Sequence, residues 1–265
     1  MPETKIVARD GVSLHAVAQG PTDGPAIVFA NSLGTDLRLW DDVVELLPAE
    51  HRIIRYDMRG HGKSDVPEAP YSMGQLVSDA ETICDTFELS DVLFVGLSVG
   101  GMVAQGLAVK RPDLIRGLVL SNTAAKIGNN KLWQDRIAAI HKLGMDAVAD
   151  DVMKRWFSRG FYASPNIAPW REMFCTTPVA GYTGVCAAIG GTDFYTPTSG
   201  IRVPTLGIAG SEDGATPPDL VRETIDLIPG SQFTLMRRSG HLPCVEAPEG
   251  YANLLKQFIK DIRHA

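Results

Sequence analysis

The stretch Val92-Leu93-Phe94-Val95-Gly96-Leu97-Ser98-Val99-Gly100-Gly101 decides how the rest of the chain is read. Its first four residues are apolar without a polar break, the pattern of a strand buried on both faces of a parallel sheet. Gly96-Leu97-Ser98-Val99-Gly100 then fits G-x-S-x-G, and Val103, Ala104, Leu107 and Ala108 continue at helical spacing. Buried strand, sharp turn and helix, in that order, are the setting that a nucleophile elbow requires. The serine sits in a strained turn that lifts its hydroxyl above the sheet. Gly96 and Gly100 suit the same reading, because strand and helix approach closely there and a Cβ at either would clash. The pentapeptide by itself is also an ordinary Gly-rich turn; its flanks make Ser98 a candidate nucleophile.

Upstream of the elbow, Lys5-Ile6-Val7-Ala8 and Val12-Ser13-Leu14-His15-Ala16-Val17 alternate around Asp10-Gly11, a hairpin signal. Ala26-Ile27-Val28-Phe29-Ala30 reads as the first fully buried strand, and Ile53-Ile54-Arg55-Tyr56 as the next. Between them, Trp40, Val43, Val44 and Leu47 show helical periodicity ending at Pro48. A Gly-rich loop, Arg59-Gly60-His61-Gly62-Lys63-Ser64, precedes a helix expected from about Met73 to Phe87. Downstream, Ile115 to Leu120 is a strand, and then the pattern breaks. From Ala124 to about Thr198 there are helical stretches and three of the four tryptophans, but no clear buried strand. A segment this long between strands reads as an inserted helical cap rather than a loop. The sheet resumes at Thr205 to Gly210, followed by a helix at 218–227, a strand at 233–236 and a last helix from Glu249 to Arg263. The expected fold class is α/β: a mostly parallel sheet with helices on both faces and an antiparallel hairpin at its start. Residues 1–123 and 199–265 form the core domain in this reading, and 124–198 the cap.

A chain of 265 residues, 45% hydrophobic, is ample for one such core and short for two independent enzymes. The formal net charge of −6, without a Lys/Arg run or basic stripe, argues against a nucleic-acid partner. Met1-Pro2-Glu3-Thr4-Lys5 lacks the basic start and apolar run of a secretory signal. No apolar run approaches the ~20 residues of a membrane span, so a cytoplasmic protein with no membrane partner is expected. Cys84, Cys175, Cys186 and Cys244 form no C-x-x-C pair and no metal-ligand spacing. Free thiols are expected, with no metal and no organic cofactor, and no pattern specifies an oligomeric state.

A serine hydroxyl is a poor nucleophile at neutral pH and needs a base, itself oriented by an acid. In a fold of this kind the chain order is serine, acid, histidine, each on a loop after a strand. The strand after the elbow helix runs into Ser121-Asn122, which offers no carboxylate. The next strand runs into Gly210-Ser211-Glu212-Asp213-Gly214, where Asp213 is the candidate acid and Glu212 the runner-up. Of six histidines, only His241 stands between the last strand and the last helix, which makes it the candidate base. His61 is expected to pack and hydrogen-bond within its Gly-rich loop, and Cys244 to serve as packing or pocket wall. Acyl transfer also needs two N–H donors for the developing oxyanion. Val99, after the nucleophile, offers one, and Leu33, in the loop after the first buried strand, is the candidate for the other, with Gly34 giving that loop its freedom.

At these residues the chain resembles the 3-oxoadipate enol-lactonases, cap-bearing α/β-hydrolases of aromatic-compound degradation. The stretches that carry the resemblance are Asn31 to Arg38 with Trp40-Asp41, Arg55 to Gly62, the elbow, Ser121 to Gly128, Arg155-Trp156-Phe157 and Ser239 to Glu246. The elbow and the Arg-Gly-His-Gly loop are general to the superfamily. Asn31-Ser32-Leu33-Gly34-Thr35, Ser121 to Gly128 and His241-Leu242-Pro243-Cys244 are more particular to the lactonases. The resemblance implies hydrolysis of a small lactone that carries a free carboxylate, and so a cationic or hydrogen-bonding anchor in the pocket. Trp133 and Arg136, at i,i+3 on one face of a cap helix, are the candidate substrate-binding residues. Trp156 is a further pocket candidate, Lys126 an alternative cation, and Arg59 a loop brace. Other readings of the same motifs are a small esterase, a perhydrolase or a C–C hydrolase of this fold, or a ligand receptor that keeps the serine, acid and histidine.

Overall fold

A computed structural model describes residues 3–264; Met1 and Pro2, part of the N-terminal stretch read for a signal, lie outside the described residues, as does Ala265. Eight strands, β1 (Glu3–Val7), β2 (Ser13–Gln19), β3 (Ala26–Ala30), β4 (Arg52–Tyr56), β5 (Val92–Leu97), β6 (Ile115–Ser121), β7 (Thr205–Gly210) and β8 (Gln232–Met236), form one sheet. Their order is β1-β2-β4-β3-β5-β6-β7-β8. β2 pairs antiparallel with β1 and with β4, and every other neighbouring pair is parallel. Every residue of β3, β5 and β7 is buried, whereas the edge strands β1 and β8 expose part of theirs. That is the difference between unbroken apolar runs and mixed ones.

The longer helices are α1 (Met73–Thr86), α2 (Val99–Lys110), α3 (Asn130–Leu143), α4 (Asp146–Trp156), α5 (Ala168–Cys175), α6 (Val179–Gly190), α7 (Pro218–Asp226) and α8 (Pro248–Asp261). α1 starts at a capping box: the Ser72 side chain accepts from the Gln75 N–H while the Gln75 side chain accepts from the Ser72 N–H. Among the described residues no single helix is long and apolar enough to cross a membrane.

The expected hairpin forms around Asp10-Gly11: β1 and β2 pair Val7 with Ser13, Ala8 N–H donates to Val12 O at 2.8 Å, and Gly11 takes φ +87°. One local expectation is corrected. The helix expected around Trp40 to Leu47 is only a 3₁₀ turn, Leu37–Trp40, followed by one α turn, Asp41–Val44. Its apolar residues are buried all the same, and tertiary packing rather than helix length uses them.

The topology sets the position of the site. From β3 the chain runs outward to β4, then returns past β3 to β5 on its other side. The loops leaving the carboxyl ends of β3 and β5 therefore diverge and leave a crevice between them, the place where α/β sheets bind ligands. Among the described residues there is no strand between β6 and β7. Helices α3 to α6 fill that segment, and their aromatic residues knit it together. Trp156 meets Phe174 edge-on at 5.7 Å between ring centroids, and Phe174 meets Tyr182 at 5.3 Å. α6 lies directly on the Gly-rich loop, where a Cβ on Gly181 would collide with the Gly60 backbone.

Candidate active site

Ser98 sits between β5 and α2 with φ +59° and ψ −120°, a conformation that L-residues rarely adopt. The tight elbow holds it there. A Cβ on Gly96 would run into the backbone of Gly100 and Gly101, and one on Gly100 into the carbonyls of Ala30 and Asn31. Ser98 N–H donates to Ser121 O at 2.9 Å, and Ser98 O accepts from Thr123 Oγ1 at 2.6 Å. Both ends of the strained peptide are thereby tied to β6 and its loop.

The loop after β3 is held from several sides. The Asn31 side chain donates to Tyr56 O and accepts from Trp40 Nε1, both at 2.9 Å. Gly34 N–H donates to His61 Nε2 at 3.0 Å. Burial pushes the His61 imidazole down to about 4, so the ring is neutral at physiological pH. With Nε2 accepting, the proton belongs on Nδ1, which faces Arg59 O at 3.3 Å. His61 thus reaches beyond its own loop to the loop after β3. Arg59 is buried between Asp79 and Asp10 as a brace. Among the described residues the Leu33 N–H has no protein acceptor, and Val99, the first residue of α2, has an N–H with no intrahelical partner.

The loop after β7 places Asp213 under His241, with Asp213 Oδ2 2.8 Å from His241 Nδ1. The carboxylate also accepts from Asn122 Nδ2 and Thr216 Oγ1 at 2.8 Å each, and from the N–H groups of Ala215 and Thr216 at 2.7 and 3.0 Å. Burial disfavours its charge, but the His241 imidazole and these donors outweigh burial and hold the carboxyl below its ordinary value. A carboxylate only accepts, so His241 carries its proton on Nδ1 and leaves Nε2 as the acceptor. Ser98, His241 and Leu33 line one cavity, together with Trp133, Arg136 and Trp156.

Glu212 turns the other way, its Oε2 accepting the Arg159 N–H at 3.0 Å. Lys126 does not reach the cavity lining; it pairs with Asp193 at 2.9 Å in an exposed salt bridge. Cys244 is fully buried packing, outside the cavity lining. All four cysteines are free.

Four residues of the site were not singled out from sequence. Asn122 occupies the slot after β6 where an acid was sought, and instead donates to the acid 91 residues away. Thr216 braces the same carboxylate. Tyr182 accepts from Arg136 at 3.2 Å, while the Arg136 guanidinium lies over the Trp133 ring, 5.5 Å from its centroid. Arg155 lines the cavity from the end of α4. A cation next to Trp156 in the stretch Arg155-Trp156-Phe157 was the available signal.

The helical segment also grips the loops beneath it through its backbone. Arg155 O accepts from Gly214 N–H at 3.0 Å, and Trp156 O from His241 N–H at 2.6 Å. Glu246 adds a side-chain tie. Its carboxylate accepts from Ser158 N–H, Ser158 Oγ and Gly240 N–H, the last at 2.7 Å. Burial nevertheless raises the Glu246 carboxyl above its ordinary value.

A strained serine above a parallel sheet lines one cavity with a histidine that is paired with a buried aspartate, a set of groups compatible with serine-hydrolase chemistry. The chain belongs to the alpha/beta hydrolase family, whose profile matches residues 27–254; it is accordingly an enzyme of the ester-hydrolase class. Within that family it is similar to two 3-oxoadipate enol-lactonases of Acinetobacter baylyi. One is 34% identical over 97% of both chains and the other 32% over 96% of both. The solved enol-lactonase from Burkholderia xenovorans superposes with a TM-score of 0.92 at 35% identity, covering 98% of this chain and all of that one.

Proposed function

We propose that this enzyme hydrolyses 3-oxoadipate enol-lactone to 3-oxoadipate, a step of the β-ketoadipate pathway of aromatic-compound catabolism, in the cytoplasm. Residues 1–123 and 199–265 serve as the hydrolase core and 124–198 as its cap. The observation that carries the reading is the Asp213–His241 pair at 2.8 Å opening into the same cavity as Ser98, in a chain similar throughout its length to enol-lactonases.

His241 Nε2 takes the proton of Ser98 as Oγ attacks the lactone carbonyl. The tetrahedral oxyanion is held by the N–H groups of Leu33 and Val99. Collapse breaks the ring C–O bond, His241 returns its proton to the departing enolate, and an acyl-enzyme remains. Water, deprotonated by His241, then attacks the acyl carbon and releases the acid, while Ser98 regains its proton. Asp213 keeps its charge and stabilises the imidazolium. No metal or organic cofactor takes part in these steps. Trp133, Arg136 and Trp156 hold the ring and its free carboxylate: the guanidinium suits the carboxylate and the indoles the ring.

Purified protein assayed on the enol-lactone and on p-nitrophenyl acetate tests the proposal. Rapid multiple turnover of the lactone, lost in Ser98→Ala, is expected. Efficient acetate hydrolysis without lactone hydrolysis would replace the reading with that of a small esterase.

A further inference from the structure

Arg136 and Arg155 come from different helices, α3 and α4, yet line the same cavity over Ser98. Among the described residues neither has a carboxylate oxygen within 4 Å. The polar partners they have are neutral: Tyr182 OH for Arg136, and Gly214 O at 3.4 Å for Arg155. Asp213 and Asp151 act on Arg155 only from farther away, while the Arg136 charge works against it; burial, first, and that repulsion push its guanidinium down. Guanidinium groups stay charged. Two like charges facing one cavity are unfavourable unless the ligand brings compensating charge. The contrast with Arg59 is direct, since its buried charge is met by Asp79 and Asp10.

We infer that this cavity is a dianion site in which Arg136 and Arg155 each take one carboxylate of a short dicarboxylate. The inference deepens the lactonase reading and rests on it for one consequence. Opening a lactone that already carries a carboxylate creates a second one, so the substrate is a monoanion and the product a dianion. The substrate engages one guanidinium fully; the product engages both and binds more tightly. Turnover is then restrained by its own product, and dicarboxylates of similar length compete with substrate.

The test reads binding rather than turnover. Adipate and hexanoate share a chain length and differ by one carboxylate. Each is titrated at pH 8 against wild-type protein, Arg155→Gln, Arg155→Lys and Arg136→Gln, following the fluorescence of Trp133 and Trp156. In the wild type, adipate should bind roughly tenfold or more tighter than hexanoate, the increment of one charge-assisted contact. Arg155→Gln should bring the two within about twofold of each other while leaving hexanoate unchanged, and Arg155→Lys, which keeps the charge, should retain a preference for adipate. Arg136→Gln should weaken both ligands. Equal binding of the two acids by wild type, or equal weakening of both in Arg155→Gln, overturns the inference; the latter means that both guanidiniums grip a single carboxylate. Adipate preference in a protein that hydrolyses no lactone would keep the dianion site and reject the lactonase reading. Lactone turnover without adipate preference would do the reverse.

Discussion

Asp213 accepts five hydrogen bonds, from His241, Asn122, Ala215 and Thr216, the last through both its N–H and its hydroxyl. Arg136 and Arg155, which line the cavity, meet only neutral oxygens. The side of the site formed by the proposed core is thus electrostatically complete without a ligand, and the side formed by the proposed cap is not. In the proposed mechanism the pre-paired Asp213 and His241 cost no reorganisation when charge develops on the serine side. Unpaired cations on the other side mark where ligand charge belongs. The strained Ser98 peptide belongs to the first group: its unusual backbone is tolerated because the sheet, the glycines and Thr123 over-determine it.

Substitutions on the two sides should differ in kind as well as in size. Ser98→Ala should lower kcat by about 10⁶ with the fold intact, measured on the enol-lactone. A residual rate well above that would mean that another group attacks. Arg136→Gln should raise KM by about 10- to 100-fold with kcat nearly unchanged, because its contact is made equally in substrate and transition state. A fall in kcat alone would erase the distinction between the two sides. Glu246→Gln should cost about 1–3 kcal/mol in urea unfolding, since its carboxylate accepts from both Ser158, in the segment between β6 and β7, and Gly240, in the His241 loop.

A smaller effect comes from His61. Its folded imidazole binds a proton only near pH 4, while an unfolded histidine does so near 6.5. The unfolded chain therefore holds more protons across that window, and stability rises with pH through it. The Tm of the wild type should be higher at pH 6.5 than at pH 4, and the decline should be shallower in His61→Asn. Least of all, Leu33→Ala should change kcat/KM by no more than about threefold, because its proposed role is played by the backbone N–H; a large loss would move that role to the side chain.

Much of the core side was legible in the sequence. Unbroken apolar runs mark β3 and β5, and the loops after β3, β5 and β7 carry Leu33, Ser98 and Asp213 by chain position alone. Local signals served less well where packing decides. The period around Trp40 to Leu47 is real, but its residues are buried from two short turns rather than from one helix. The side formed by the proposed cap was only half legible. Trp133 and Arg136 share a helix and a three-residue spacing, whereas Arg155 joins them through tertiary packing that no local period records. The same is true of Asn122: an amide where a carboxylate was sought says nothing, by itself, about a partner 91 residues away.

The backbone contacts of Arg155 and Trp156 with Gly214 and His241 bear on how such enzymes diversify. A cap joined to its core only by side chains could be exchanged between relatives like a cassette. Here the end of α4 supplies carbonyls to the very loops that carry Asp213 and His241, so a chimera grafted upstream of residue 155 should keep the proposed catalytic frame under a foreign roof. One grafted downstream must bring its own matching loops with it.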